Sequence, residues 1–397
     1  MTVSVSHCPG LPFCLQEFYD RFFGSLAPLE PTTNLFLFPA APNPPMSGII
    51  GHTAYAILAA KAAESRKLPV APLIRNHFSS YLAGAYLGCD VQTVPAAVCV
   101  DTGESLGYGS QKMERSPVTG GVVTSWFLPI GDRKVFPREI HETFYGRSHL
   151  ILGWAKEARD ETISWGEYLD FAADVAGDAV ELFGPGHRAL AYTLGWMTHV
   201  SGDGLIKSVL DGINLNLLDG TYTAKNRPVQ DLVTFNEIGK KELELNWSVI
   251  LDDLATTPVE DVQIHYMRCS PRQGRLGAHF PKGWAPDQEG LLRAVLAENR
   301  RYQRIRNSRI ISQLTLKPGP NGVLQCDEKL SKIAGGLNYR EMLEAAEKAN
   351  FRHALWQIGE LIADAFEKVI ERQDILHDFP TTDGPTWEEL GKRFWSP

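Results

Sequence analysis

Apolar residues recur at helical spacing along most of this chain. The pattern predicts helices over residues 15–26, 50–67, 77–90, 141–160, 164–183, 186–211, 228–254, 287–306, 339–348 and 351–373. In the last of these, Leu355, Ile358 and Ile362 lie three or four residues apart, as expected of a helix face packed on a core. The chain is therefore predicted to fold as a mainly α protein.

Three stretches interrupt the helical pattern. Apolar and polar residues alternate over 310–316, and a KPGPNG turn before VLQC predicts a β-hairpin there. Residues 91–137 are rich in Gly, Ser, Pro and Thr and predict a long excursion with a short hairpin near 122–129. Long loops in compact domains often serve as lids over a site, so this excursion is expected to influence substrate choice. Residues 256–285 are predicted to be irregular.

Length and composition indicate an ordinary globular protein. The chain has 397 residues, of which 44% are hydrophobic and 22% charged. We predict a proline-rich N-terminal extension over 1–48 and a helical core over 49–255. A C-terminal helical region over 256–397 is expected to pack on that core within the same domain.

Charge and cysteine usage exclude several classes of function. A net charge of −8 argues against general binding to nucleic-acid backbone, so no nucleic-acid partner is expected. No apolar run reaches the length of a membrane span, and the N-terminus lacks the pattern of a signal peptide. Six cysteines are dispersed without a CxxC pair, which is typical of a cytoplasmic protein with reduced thiols.

The helix predicted over 186–211 carries a candidate pair of metal ligands. His199 and Asp203 are four residues apart there, so their side chains share one helix face. An imidazole and a carboxylate so placed can supply two ligands to a divalent metal ion. By itself the pair also fits a histidine–aspartate hydrogen bond or a core histidine with its hydrogen bonds satisfied.

Further candidate ligands stand where predicted helices begin or end. They are His52, Asp90, and either His141 or His149. Histidine together with carboxylate suits zinc, manganese or ferrous iron. The absence of paired cysteines argues against a structural zinc finger.

In this order the motifs resemble those of the zinc-dependent phospholipase C / P1 nuclease family. The resemblance is carried by His52 near a helix start, LAGAYLGCD ending in Asp90, SH ending in His149, and LGWMTHVSGD. It spans roughly residues 48–240, and the H-x-x-x-D helix preceded by Gly-Trp is its most specific part. It implies an all-helical fold that encloses a metal cluster and hydrolyses phosphate esters.

The resemblance also implies a ligand set. Asp90, His149, His199 and Asp203 would form a central metal site, and His52 would belong to a second site that shares Asp203. His149 is preferred to His141 because it precedes His199 by fifty residues, close to the separation in the family. His141 remains a candidate.

The third site of the family is where this chain departs. Secreted members place a histidine after the H-x-x-x-D helix and then a second H-x-x-x-E/D, whereas Asp203 here is followed by GLIK. The nearest later match is Asn226 with Gln230 or Asp231, and amides are poor zinc ligands. We therefore expect one or two zinc ions, with iron or manganese as alternatives.

These residues lead to a functional hypothesis with open alternatives. The first is a metal-dependent hydrolase of a phosphate ester or phosphodiester in which Asp90 is the general base. Lys207 could replace a lost metal as the positive charge, although it also fits a solvated lysine near a helix end. The alternatives are an iron or manganese enzyme with redox or lyase chemistry on a small molecule, and a non-catalytic metal-binding scaffold.

Overall fold

The computed structural model describes residues 48–87, 97–107, 114–115, 122–137, 139–140, 186–206, 209–210, 213–214, 225–268, 286–372 and 384–395, together with positions 118, 169, 173 and 218. Its longer helices are α1 (Gly48–Ser65), α2 (Val70–Asn76), α3 (Phe78–Leu87), α4 (His187–Ile206), α5 (Asn226–Val233), α6 (Trp247–Thr256), α7 (Glu260–Arg268), α8 (Pro286–Leu314), α9 (Glu328–Ile333), α10 (Tyr339–Lys348), α11 (Phe351–Arg372) and α12 (Trp387–Phe394). A π-helix, Thr234–Glu242, connects α5 to the turn before α6. The prediction of a mainly α fold is confirmed.

The strands are short. They are β1 (Ala97–Cys99), β2 (Ser105–Gly107), β3 (Glu114–Arg115), β4 (Val122–Val123), β5 (Trp126–Ile130), β6 (Arg133–Val135), β7 (Val209–Leu210), β8 (Ile213–Asn214), β9 (Lys317–Pro318) and β10 (Leu324–Gln325). One antiparallel sheet has the order β2-β1-β5-β6, and the other strands form two-stranded pairs. The sheet falls within the predicted excursion, and its β5–β6 hairpin lies slightly beyond the predicted one.

Helix α1 is the central element of the core. It is rich in alanine and apolar on all sides, which is typical of a helix covered by its neighbours. Helices α3, α4 and α11 contact it. At the α11 crossing, a Cβ on Gly359 would lie 2.8 Å from Leu58 Cβ, so only glycine allows this approach without a shift.

Helices α3 and α4 cross with their backbones in direct contact. A Cβ on Gly84 would lie 2.9 Å from the carbonyl carbon of Tyr192, and one on Gly195 would lie 2.8 Å from that of Tyr81. Two glycines facing each other's helices therefore set the spacing of this pair. That spacing positions the last residues of α3 against the middle of α4.

Several predicted boundaries were wrong. The predicted hairpin strand at 310–316 is instead the end of α8 and the residues after it. The hairpin is formed by the short strands β9, at the start of KPGPNG, and β10, just after it. Tertiary packing prevailed there, because Ile310 and Leu314 are buried one helical turn apart. The predicted helix 228–254 is divided after the π-helix, where Glu244 adopts a φ of 53°. Part of the region predicted to be irregular is helix α7.

The helix predicted over 186–211 ends at Ile206 and is followed by β7. The predicted extension 1–48, except for Gly48, lies outside the described residues, as do the predicted helices over 141–160 and 164–183 apart from isolated positions. Within the part of the chain that the structure describes, no helix has the length and apolarity needed to cross a bilayer.

Candidate metal centre

Two predicted ligands from distant parts of the sequence meet in the core. His52 lies in the second turn of α1 and His199 in the middle of α4. Their imidazole rings stack, with centroids 3.8 Å apart and planes inclined by 22°. Both side chains are buried, with exposed fractions of 7% for His52 and 6% for His199. The fold therefore places two imidazoles together at the α1–α4 contact.

The orientation of His199 is set by helix α3. Its Nδ1 lies 2.8 Å from the carbonyl oxygen of Ala85. A carbonyl oxygen only accepts hydrogen bonds, so Nδ1 carries the proton and donates it. The lone pair of the neutral ring is then on Nε2. Metal-binding histidines are commonly oriented in this way, by a hydrogen bond from the other ring nitrogen to a carbonyl or carboxylate.

The surroundings of His52 are shaped by small residues. A Cβ on Gly48 would lie 3.3 Å from Cδ2 and 3.5 Å from Nε2 of His52, so the absence of a side chain leaves room beside that ring edge. Tyr55 meets His52 edge-on, with ring centroids 5.9 Å apart. The Tyr55 ring also covers Gly202, where an added Cβ would lie 2.6 Å from Cδ2 of Tyr55. The Tyr55 ring therefore covers the histidine pair next to Gly202, the residue before Asp203 on α4.

The other predicted site residues are placed only in part. Asp203 lies on α4, one turn after His199, but its side chain is outside the described residues. Asp90, His141, His149 and Lys207 also lie outside them. Across the described ranges, no group of three or more His, Cys, Asp or Glu side chains could hold a metal ion. The described contribution to the predicted site is therefore the His52–His199 pair.

The residues compared above with the third metal site of that family are buried. Asn226, Gln230 and Asp231 on α5 have exposed fractions of 0%, 6% and 8%. The side-chain oxygen of Asn226 accepts a hydrogen bond from the backbone N–H of Leu218 at 3.1 Å. Asn226 therefore holds the backbone of Leu218.

Sequence reasoning missed one charged residue. The Arg-rich end of the helix predicted over 287–306 is typical of a solvated face, and Arg301 and Arg304, in the middle of α8, are indeed exposed. Arg306 is different, with an exposed fraction of 8% and its guanidinium 5.3 Å from the ring centroid of Tyr86 and 5.6 Å from that of Tyr302. A signal was present, because Arg306 is one turn after Tyr302 and one turn before Ile310, both buried.

The position of Arg306 connects it with the histidine pair. Tyr86 follows Ala85 on α3, and Ala85 is the residue whose carbonyl orients His199. A buried guanidinium is costly unless other groups compensate it, and a planar cation suits phosphate oxygens. A cation and an oriented imidazole are therefore held near the same end of α3.

Comparison with known proteins adds no further constraint. No protein-family model, curated protein or solved structure matches this chain.

Proposed function

We propose that this protein is a metal-dependent hydrolase of phosphate esters or phosphodiesters, acting on a small-molecule substrate. The observation that carries the proposal is the buried His52–His199 pair, with His199 held in one tautomer by Ala85. Because Nδ1 donates to Ala85, the Nε2 of His199 carries the lone pair, in the plane of a ring that stacks on a second imidazole. The ordered motifs of the phospholipase C / P1 nuclease family support the same function.

The donor set is suited to zinc. His52 and His199 would supply imidazole nitrogens, and Asp203, Asp90 and His149 would complete the ligands as the family resemblance implies. A bound divalent ion would supply a water molecule of lowered pKa and a positive charge for phosphate oxygens. Iron or manganese would be accepted by the same donor types.

The chain's own residues have distinct tasks in this proposal. The Ala85 carbonyl fixes the tautomer of His199, and Gly48 leaves space beside His52. Arg306, buried between two tyrosines, would neutralise charge on the phosphate group, a role predicted for Lys207 from sequence. Asp90 remains the proposed general base. We also propose a cytoplasmic location, which the dispersed cysteines support; Cys99 and Cys326 are free thiols.

The test compares histidine variants for metal content and turnover. Protein purified without added metal is analysed for zinc, iron and manganese, and hydrolysis of p-nitrophenyl phosphate and bis-p-nitrophenyl phosphate is measured. We expect zinc in the parent protein and a loss of most metal and turnover in His52→Ala and in His199→Ala. His353 on α11 is exposed, so His353→Ala is the matched control and should retain both.

Each alternative has its own outcome. Iron or manganese without phosphatase activity would support the redox or lyase hypothesis, and metal without any turnover would support the scaffold. Full metal content in folded His199→Ala, with folding checked by circular dichroism, would show that the pair is a core contact and contradict the proposal.

A further inference from the structure

A polar cavity lies at the end of the α3–α4 pair opposite the histidine pair. It has a volume of about 420 Å³ and opens where α3 and α4 begin, beside the end of α6 and beside α12. This volume is in the range of small-molecule sites. The residues that matter for its chemistry are Arg75, His77, Ser79, Arg188, Asp253 and Arg393.

The cavity is separate from the histidine pair. Arg188 precedes His199 by three helical turns of α4, a rise of about 16 Å at 1.5 Å per residue. Ser79 precedes Ala85 by six residues of α3, a rise of about 9 Å. A ligand bound in this cavity would therefore not contact the proposed metal centre.

The lining of the cavity is predominantly cationic. Arg75 is paired with Glu64 and donates to the carbonyl oxygen of Pro385 at 3.0 Å, so its guanidinium is held in place. Arg188 is exposed and forms no ion pair with the carboxylates in the described ranges. Burial and the nearby charges of His187 and Arg188 lower the pKa of His77, which indicates a positive local potential.

Helix geometry adds to this potential. Ser79 and Ser80 lie in the first turn of α3, where backbone N–H groups have no acceptor within the helix. The Ser80 hydroxyl donates to the carbonyl oxygen of Arg188 at 3.0 Å, so the start of α3 is tied to the start of α4. Guanidinium groups beside helix N-termini are the usual partners of phosphate oxygens.

Asp253 places a negatively charged side chain in this otherwise cationic cavity. Its side chain is 6% exposed, and its Oδ1 forms an ion pair with the guanidinium of Arg393. Its Oδ2 is buried, and no donor among the residues that the structure describes meets it with hydrogen-bond geometry. Burial raises the pKa of Asp253, and the nearby Ser79 and Thr257 hydroxyls and Arg393 oppose that rise. The terminal torsion of aspartate is soft, so Oδ2 can turn toward a donor that enters the cavity. A buried acceptor without a donor is unfavourable, which makes a ligand that carries a donor the better fit.

We propose that this cavity binds a phosphate group that retains one proton, with Arg188 and the first turn of α3 holding its oxygens and Asp253 accepting its P–O–H. Phosphate groups have a second pKa near 6 and keep a donor hydroxyl in their monoanionic form. Sulfate has the same shape but no proton at neutral pH. It would leave Asp253 without a donor and place two anions together.

The experiment measures binding to the full chain by calorimetry at pH 6 and constant ionic strength. The probes are inorganic phosphate, sulfate and glucose 6-phosphate. Arg188→Gln removes the exposed guanidinium, and Arg340→Gln on α10, also exposed, is the matched control. Asp253→Asn removes the carboxylate that is proposed to select against sulfate.

We expect one phosphate per chain, with sulfate at least about tenfold weaker, and phosphate binding at least about tenfold weaker in Arg188→Gln but unchanged in Arg340→Gln. In Asp253→Asn the difference between phosphate and sulfate should shrink several-fold. Tighter binding of glucose 6-phosphate than of inorganic phosphate would identify a phosphate monoester as the ligand, and weaker binding would identify free phosphate.

Three results would overturn the proposal. They are equal affinity for sulfate and phosphate, unchanged phosphate binding in Arg188→Gln, and no saturable phosphate binding in the millimolar range. Phosphate bound at the metal centre instead would appear as the second of these. If Asp253→Asn does not fold, the comparison of the two anions and the Arg188→Gln result still decide the question.

Discussion

Replacing Gly195 with alanine tests whether the α3–α4 crossing sets the geometry of the histidine pair. The added Cβ would lie 2.8 Å from the carbonyl carbon of Tyr81 and 3.0 Å from the backbone nitrogen of Ala85. Ordinary contact begins at 3.4 Å, and the carbonyl oxygen of Tyr81 lies closer still to the added Cβ, so the two backbones must separate by more than about 0.6 Å. No side-chain rotation can relieve this clash, because the neighbouring atoms belong to the main chain of α3.

Two opposing terms determine the size of the effect. Alanine favours a helix interior over glycine by about 1 kcal/mol. Overpacking a close contact costs roughly 1–3 kcal/mol, and a backbone clash lies at or above the upper end. We therefore expect Gly195→Ala to lower the free energy of unfolding by at least about 2 kcal/mol. With a urea m value of roughly 3 kcal/mol/M, the midpoint should fall by at least about 0.7 M.

Metal content provides a second measurement for the same variant. The hydrogen bond from His199 to Ala85 crosses the same interface at 2.8 Å, and a separation of the helices would stretch it beyond the favourable range. Metal content should therefore fall even where the variant remains folded.

The matched control is Gly290→Ala on α8. An added Cβ there meets nothing within 4 Å, so only the helix propensity changes and stability should rise by about 0.5–1 kcal/mol. A Gly195→Ala protein as stable as the parent, with unchanged metal content, would refute the argument that backbone contact at this crossing orients His199.

Two further predictions concern residues outside the histidine pair. Arg306→Gln should retain its metal but lose about tenfold or more in kcat/KM for a phosphate ester. The control Arg301→Gln, on the same helix, should behave like the parent. An unchanged kcat/KM in Arg306→Gln would exclude Arg306 from substrate binding. Thr386→Ala removes the N-cap of α12, where Thr386 and Glu389 form a capping box, and should cost about 1 kcal/mol in urea unfolding. Hydrogen bonds from Thr386 lower the pKa of Glu389 below its ordinary 4.5. The stabilisation from the capping box is therefore present above pH 4.5 and is lost as pH falls through the lowered pKa. A stability difference between Thr386→Ala and the parent that grows in acid would contradict this prediction.

The sequence pattern predicted helix bounds correctly where local helix signals and tertiary packing favour the same structure. The helix at Tyr339–Lys348 has the predicted bounds, because Asn338 and Glu341 form a capping box that marks its start in the sequence. The predicted strand at 310–316 failed because alternation over seven residues is a weak signal beside a helix whose buried face already includes Tyr302 and Ile310.

Helical periodicity is a local property of the chain, so the spacing of His199 and Asp203 is enough to place them on one helix face. The stacking of His52 on His199 depends on the crossing of α1 and α4, which no local pattern specifies. The burial of Arg306 and the cavity lined by Arg188 and Asp253 likewise depend on how helices pack together. Contacts between distant residues follow from how closely helices approach, and here the glycines at the helix crossings set that distance.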